Sequence, residues 1–188
     1  MKLIILDRDG VINEDSDAYI KSVDEYIPIP GSLEAIARLN QAGYTVVVAT
    51  NQSGIARGLF EESVLQQMHD KLKMLLKEVG GAINKIYFCP HGPDDGCDCR
   101  KPMPGMLQQI FRDYPVDPAG VPAIGDSLRD LQAAQQVGAQ PILVKTGKGH
   151  KTVRQLADHP ALQAVPVFDN LAAAVDALLQ HDGFDSVK

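Results

Sequence analysis

The sequence predicts a doubly wound, mainly parallel α/β sheet, built as a single domain over residues 1–188. Three observations lead there. Apolar runs of strand length alternate with segments whose apolar residues recur at helical spacing. Glycines at Gly43, Gly80-Gly81 and Gly138 stand where the intervening helices have to stop. Polar, acid-bearing clusters follow directly on several of the strands, and the carboxyl ends of strands are where open α/β sheets assemble their sites. A chain of 188 residues is long enough for one well-buried core and short for two.

The elements follow in order. Leu3-Ile4-Ile5-Leu6 is an apolar run of the kind a parallel sheet buries on both faces. It ends in Asp7-Arg8-Asp9-Gly10. Residues i and i+2 of an extended segment point the same way, so Asp7 and Asp9 reach one site together. Two facing carboxylates repel unless a metal or a proton lies between them; a turn with Asp as its cap is the alternative from this stretch alone. Asn13 to Tyr26 is an irregular polar loop beside the strand end, and it carries Asp15, Ser16, Asp17 and Tyr19. After Pro28, Pro30 and Gly31, a helix with Leu33, Ile36, Ala37 and Asn40 on one phase runs to Gly43. Tyr44 to Ala49 is a second buried strand, leading straight into Thr50-Asn51-Gln52-Ser53-Gly54-Ile55-Ala56-Arg57-Gly58.

Glu61 to Val79 is the longest helix. Its stripe of Val64, Leu65, Met68, Leu72, Leu75, Leu76 and Val79 is read as core packing. Ile83 to Phe88 is a strand that enters a Cys/His segment, and Pro104 opens a helix to about Asp113. Val121 to Ile124 precedes Gly125-Asp126-Ser127 and a helix to Val137. Pro141 to Val144, a Gly/Lys loop, a short helix, the strand Val165 to Phe168 and the helix Leu171 to Leu179 follow, with fraying expected from His181.

Composition excludes several classes. The chain is 45% hydrophobic and 22% charged, ordinary for a soluble globular protein. Its 18 basic against 24 acidic residues give a net charge of −6, which argues against a nucleic-acid partner. No apolar run is long enough to span a membrane, and the start lacks the basic flank, apolar core and cleavage site of a signal peptide. The expectation is a cytoplasmic monomer with a small-molecule substrate. No Walker loop or Gly-x-Gly-x-x-Gly turn follows the first strand, so a nucleotide cofactor is not indicated.

The strand ends supply what phosphoryl transfer needs. A carboxylate can act as nucleophile and a second as acid and base. Further carboxylate oxygens can hold Mg²⁺, and a lysine and a hydroxyl can neutralise phosphoryl oxygens. Asp7, Asp9, Thr50, Asn51, Lys101, Asp126 and Asp130 are the candidates. Separately, Cys89-Pro90-His91 and Cys97-Asp98-Cys99 gather all three cysteines and a histidine within eleven residues. Four N/S ligands with no open position describe a structural, tetrahedral Zn²⁺ site, against the alternative that the cysteines are small buried hydrophobes. Such a zinc would fix the loop ending in Arg100-Lys101. The remaining histidines, His69, His150, His159 and His181, read as surface or packing residues.

Asp7-x-Asp9-Gly10, Thr50 after a strand, Lys101, and Gly125-Asp126 with Asp130 together resemble the haloacid dehalogenase superfamily of phosphatases. The stretch Thr50 to Gly58 is similar to the group that holds D,D-heptose 1,7-bisphosphate phosphatases and histidinol-phosphate phosphatases, and polynucleotide 3′-phosphatases share a related version. The Cys/His segment is similar to the zinc loop of the first two. The resemblance implies that Asp7 forms an aspartyl-phosphate, that Asp9 is acid and then base, and that Thr50 or Asn51 with Lys101 holds the phosphoryl oxygens. It implies Mg²⁺ on Asp7, the Asp9 carbonyl and Asp126, supported by Asp130, and no large cap domain. It also implies substrate contacts from Asp15, Ser16, Asp17 and Tyr19, from Asn51, Gln52, Ser53 and Arg57, and from Arg100 and Ser127. The substrate expected is heptose bisphosphate, losing its 7-phosphate in nucleotide-heptose and lipopolysaccharide core precursor synthesis. Histidinol phosphate is the alternative, with a polynucleotide 3′-phosphate or a non-catalytic zinc-stabilised module behind it. Arg57 and Arg100 favour the bisphosphate, since two guanidiniums can grip a second phosphate bidentately, unless each pairs with a nearby carboxylate. Ser127 departs from heptose phosphatases that carry lysine there.

Overall fold

The structure is a computed structural model and describes residues 1–185. Its strands are β1 (Lys2–Leu6), β2 (Tyr44–Asn51), β3 (Lys85–Cys89), β4 (Pro122–Gly125), β5 (Gln140–Val144) and β6 (Val167–Phe168). Its helices are α1 (Ser32–Gln41), α2 (Glu62–Glu78), α3 (Gly105–Asp113), α4 (Leu128–Gln136), α5 (Gly149–Gln155) and α6 (Leu171–Asp185). The strands form one sheet in the order β3-β2-β1-β4-β5-β6, and every neighbouring pair is parallel. Strand order reverses between β1 and β4, and a crevice opens at the carboxyl ends of strands at such a point.

Side chains alternate across a strand, and that alternation builds a core on each face. Ile4 and Leu6 of β1, with Val46 and Val48 of β2, pack under α1, α2 and α6 through Ile36, Leu39, Leu65, Met68, Leu72, Leu76 and Val175. Leu3, Ile5, Val47 and Ala49 face the other way and meet Met106, Leu107 and Ile110 of α3 and Ala133 and Ala134 of α4. Burying each large aliphatic side chain is worth about 1.5–3 kcal/mol, so both layers hold the strand ends in place.

The elements lie where the sequence puts them, most with ends shifted by a residue. β3 starts two residues late and runs through Cys89. β2 continues two residues past Ala49, because Thr50 and Asn51 pair with Phe88 and Cys89 of β3. β6 is only Val167–Phe168. α3 starts at Gly105 with Pro104 as the residue before it. α6 runs through Asp185 rather than fraying at His181, since each added helical residue gains a hydrogen bond without a new nucleation cost; residues 186–188 of the expected frayed tail lie outside the described residues. Between β1 and α1 the chain makes only isolated bridges, Asp9 with Asn13 and Asn13 with Pro28, so nothing of domain size covers the crevice from there. Among the described residues no helix is long and apolar enough to cross a membrane.

Candidate active site

A cleft of about 290 Å³ opens at the switch point. Asp7 and Asp9 reach it from the end of β1 and Asp126 from the end of β4; Lys101 comes from the loop before α3, and Asp130 from the first turn of α4. Asp7, Asp126 and Asp130 bring carboxylate oxygens within 4.8 Å of one another. Lys101, 4% exposed, lies among them, 2.6 Å from Asp130 Oδ1 and 3.1 Å from Asp7 Oδ1. One ammonium does not neutralise three buried carboxylates. Burial and the Asp130 charge push Asp7 up to about 7. Burial, Asp7 and Asp130 push Asp126 well above the ordinary range.

Asp130 behaves differently. Burial works to raise its pKa, but Lys101 and hydrogen bonds outweigh it and hold the carboxyl below the usual value. Its Oδ2 accepts from Asp126 N–H, Ser127 N–H and Ser127 Oγ, closing a capping box at the start of α4. Both its oxygens are therefore in use. Asp7 and Asp126 each keep one oxygen with no hydrogen bond among the described residues. Two such free oxygens in a buried, electron-rich cluster fit a hard divalent cation. Glycine is needed three times to close this packing. Gly10, at φ +82°, and Gly147, at φ +57°, lie so near the Asp126 carboxylate, and Gly125 so near that of Asp130, that a Cβ at any of them would collide.

Asp9 is locked in place. Its Oδ1 accepts from Arg8 Nε at 3.1 Å, Arg8 Nη2 at 2.8 Å and Asn13 Nδ2 at 2.8 Å, and its Oδ2 accepts from Gln52 Nε2 at 2.8 Å. Burial would raise its pKa; the Arg8 charge and these amides hold it low instead. Thr50, in contrast, does not line the cleft: its hydroxyl is buried, accepting from Gln52 Nε2 at 2.9 Å. Asn51 lines the cleft and also clamps the Lys101 backbone, donating to its carbonyl and accepting from its N–H, both at 3.0 Å.

Asn51 pairs in register with Cys89, so the same strand end leads to the Cys/His cluster. Cys89, His91, Cys97 and Cys99 bring their ligand atoms within 4.8 Å of one another. The Cys89 sulfur lies 3.7 Å from that of Cys97 and 3.5 Å from His91 Nδ1. Burial works to raise the Cys97 thiol, but the Arg100 N–H and the neighbouring sulfurs bring it down to about 7, while burial pushes the Cys89 and Cys99 thiols up.

At the mouth lie Ser16, Asp17, Tyr19, Ser53, Arg57, Arg100 and Ser127, all placed there by the sequence reading. Asp15 is there too, but its carboxylate is engaged by Lys148 Nζ at 2.8 Å. Tyr19 holds a left-handed backbone, φ 68°, and its ring lies 5.5 Å from the Arg57 guanidinium. Ser127 contributes its hydroxyl to the α4 cap and brings no cation. Arg129, two residues on, lines the cleft in its stead. Among the described residues, no carboxylate pairs with Arg57, Arg100 or Arg129. Burial lowers the Arg100 pKa first, and the charges of Arg129 and Arg57 lower it further. Sequence reasoning missed Arg129, Lys148, Arg8 and Asn13. Its place in the first turn of α4, directly after the acid-bearing end of β4, is the signal for Arg129.

A parallel sheet in this order, with Asp-x-Asp-Gly after β1, Lys101 and the paired acids after β4, defines a haloacid dehalogenase-like hydrolase. The HAD-hydrolase-like family model matches residues 98–174, and the polynucleotide kinase 3 phosphatase model matches residues 2–125. The chain is 61% identical to a Bordetella bronchiseptica D-glycero-β-D-manno-heptose-1,7-bisphosphate 7-phosphatase, over 96% of this chain and 99% of that one. The Pseudomonas aeruginosa protein of the same name is 60% identical, over 95% and 98%. A crystal structure of the D,D-heptose 1,7-bisphosphate phosphatase from B. bronchiseptica, complexed with magnesium and phosphate, superposes with a TM-score of 0.92 at 60% identity, over 96% and 99% of the two chains. The Burkholderia thailandensis D,D-heptose 1,7-bisphosphate phosphatase gives 0.74 at 46% identity, over 95% and 99%. The chain belongs to the D-glycero-β-D-manno-heptose-1,7-bisphosphate 7-phosphatase family of haloacid dehalogenase-like phosphatases.

Proposed function

We propose that the chain is a Mg²⁺-dependent phosphatase that removes the 7-phosphate of D-glycero-β-D-manno-heptose 1,7-bisphosphate through an aspartyl-phosphate on Asp7. The observation that carries this reading is the pairing of two unlike regions in one cleft. A carboxylate cluster with a single lysine lies at the base, and Arg57, Arg100 and Arg129, which pair with no carboxylate among the described residues, lie at the mouth. A substrate with a phosphate at each end suits both. The names and high identities of the relatives supply independent support.

Asp7 attacks phosphorus, and the bond from phosphorus to the sugar oxygen breaks. Asp9, held low in the free cleft by Arg8, Asn13 and Gln52, takes up a proton as the anionic phosphate binds beside it and gives that proton to the departing alkoxide. It then takes a proton from the water that attacks the aspartyl-phosphate, which frees inorganic phosphate and restores Asp7. Lys101 and Asn51 hold the phosphoryl oxygens, and Thr50 supports them from behind through Gln52. Mg²⁺ would be held by Asp7, the Asp9 carbonyl and Asp126. When bound, it neutralises charge on the phosphoryl group and on the acids. Asp130 acts on Lys101 and the α4 cap. Zn²⁺ would be held by Cys89, His91, Cys97 and Cys99 as a closed structural site, stiffening the loop that carries Arg100 and Lys101. Histidinol phosphate is disfavoured because a cationic imidazole-amine would face three arginines.

Asp7→Asn tests the nucleophile. The variant should fold and lose turnover. Wild-type enzyme quenched during turnover should carry one hydroxylamine-labile phosphoryl group on the peptide containing Asp7. Near-normal phosphate release by the variant, or no such adduct on the wild type, would overturn the assignment.

A further inference from the structure

Outside the cleft, beside α2 and the end of β3, a groove of about 350 Å³ is lined by Glu62, Ser63, Leu65, Gln66, His69 and Phe88. His69 is 4% exposed and lies on the buried stripe of α2, in phase with Leu65, Leu72 and Leu76. Its Nε2 is 3.2 Å from Nη1 of Arg8. A guanidinium has no acceptor, so Nε2 accepts and the ring carries its proton on Nδ1. Arg8 is fully buried. Its Nε and Nη2 both bond Asp9 Oδ1, its Nη1 bonds His69, and its plane lies 5.4 Å from the Tyr26 ring. The guanidinium is thus fixed from three sides, and the side-chain cation bonded to Asp9 is held at its opposite end by a residue outside the cleft.

We propose that His69 is a positioning residue for the proton-transfer step, acting through Arg8 to fix the orientation of the Asp9 carboxyl. The proposal rests on reading Asp9 as the general acid. The neutral ring offers the one acceptor that Arg8 Nη1 bonds among the described residues. Without that acceptor the guanidinium turns to satisfy Nη1. Both of its bonds to Asp9 Oδ1 turn with it, against the Gln52 bond on Oδ2. The attack by Asp7 does not depend on this chain of contacts; protonation of the leaving group does. The defect should therefore follow the leaving group. An alkoxide needs a proton as it departs, and p-nitrophenolate departs without one.

The test is single-turnover release of the leaving group, with enzyme in excess, from the sugar bisphosphate and from p-nitrophenyl phosphate. It isolates the first half-reaction from later hydrolysis of the adduct. Asp9→Asn is the reference, and removing a general acid should cost about 10²–10⁴-fold on the alkyl substrate with little loss on the aryl one. His69→Leu should lower the alkyl-to-aryl rate ratio by about tenfold or more, a fraction of the full general-acid effect. KM should stay near wild type for both substrates. His69→Gln, which keeps an acceptor, should restore most of the ratio. His69→Ser, too short to reach Arg8, replaces the leucine variant if that one does not fold. Equal losses on the two substrates, or an unchanged ratio alongside a selective Asp9→Asn, would overturn the proposal while leaving Asp9 as the acid. An unselective Asp9→Asn would remove the acid assignment and the proposal with it.

Discussion

Asp130→Asn separates a metal ligand from a residue that holds Lys101. The carboxylate makes a 2.6 Å ion pair with Lys101 and accepts three hydrogen bonds from Asp126 N–H and from the N–H and Oγ of Ser127. An amide can keep only one of these roles. If its oxygen faces the cap, its NH₂ meets the Lys101 ammonium, and two donors oppose each other in a buried place. Breaking a buried ion pair costs about 3–5 kcal/mol. Lys101 keeps Asp7 Oδ1 at 3.1 Å and the Ala49 carbonyl at 2.6 Å, so the lower end, about 3 kcal/mol, applies. For a chain of this length that is a Tm lowered by roughly 6–12 °C. The assays are thermal unfolding and steady-state turnover over a Mg²⁺ titration. Turnover should fall and stay low at saturating Mg²⁺, because the displaced group is Lys101. An unchanged Tm, or recovery of full turnover at high Mg²⁺, would refute the reasoning and make Asp130 a direct ligand.

Three further outcomes are expected. Arg100→Ala should lower kcat/KM for the bisphosphate far more than for a simple monophosphate, and equal losses would mean that Arg100 does not bind the second phosphate. Metal analysis should find one zinc per chain that persists without added Mg²⁺, and Cys97→Ser should lower both zinc content and stability; zinc-free protein with unchanged stability and turnover would rule the site out. Burial and the Arg8 charge pull His69 down to about 3 in the folded chain, against 6.5 for the free side chain. Between those values the unfolded chain binds the extra proton, so stability should fall as pH drops from about 6.5 towards 3, by up to about 1.4 kcal/mol per pH unit. His69→Gln should flatten that limb in denaturant titrations, and an unchanged slope would contradict the burial argument.

What was legible in the sequence was whatever one strand end or one short segment determines alone. Asp7 and Asp9 are two apart on an extended chain, and three cysteines and His91 sit within eleven residues, so local geometry sufficed for both. The alternation of strands and helices gave the sheet, and Gly43, Gly80 and Gly138 marked helix ends. Pairings across long separations were not legible. Lys148 meets Asp15 across the cleft, and Thr146 donates to the Gly10 carbonyl, because β5 happens to lie beside β4. Arg8 read as the spacer between two aspartates, since nothing local says that its side chain turns inward to His69. Thr50 and Asn51 read alike as polar groups at the end of a strand; the Thr50 hydroxyl is buried against Gln52, and Asn51 lines the cleft.

The most direct test of the central claim follows which phosphate leaves, and from what. Heptose 1,7-bisphosphate, histidinol phosphate and a 3′-phosphorylated oligonucleotide are offered to the same Mg²⁺-loaded enzyme, with the products of the first resolved by ³¹P NMR. The account predicts release of the 7-phosphate, retention of the 1-phosphate, and a kcat/KM for the bisphosphate well above the other two. Loss of the 1-phosphate, or faster hydrolysis of histidinol phosphate or the oligonucleotide, would contradict it.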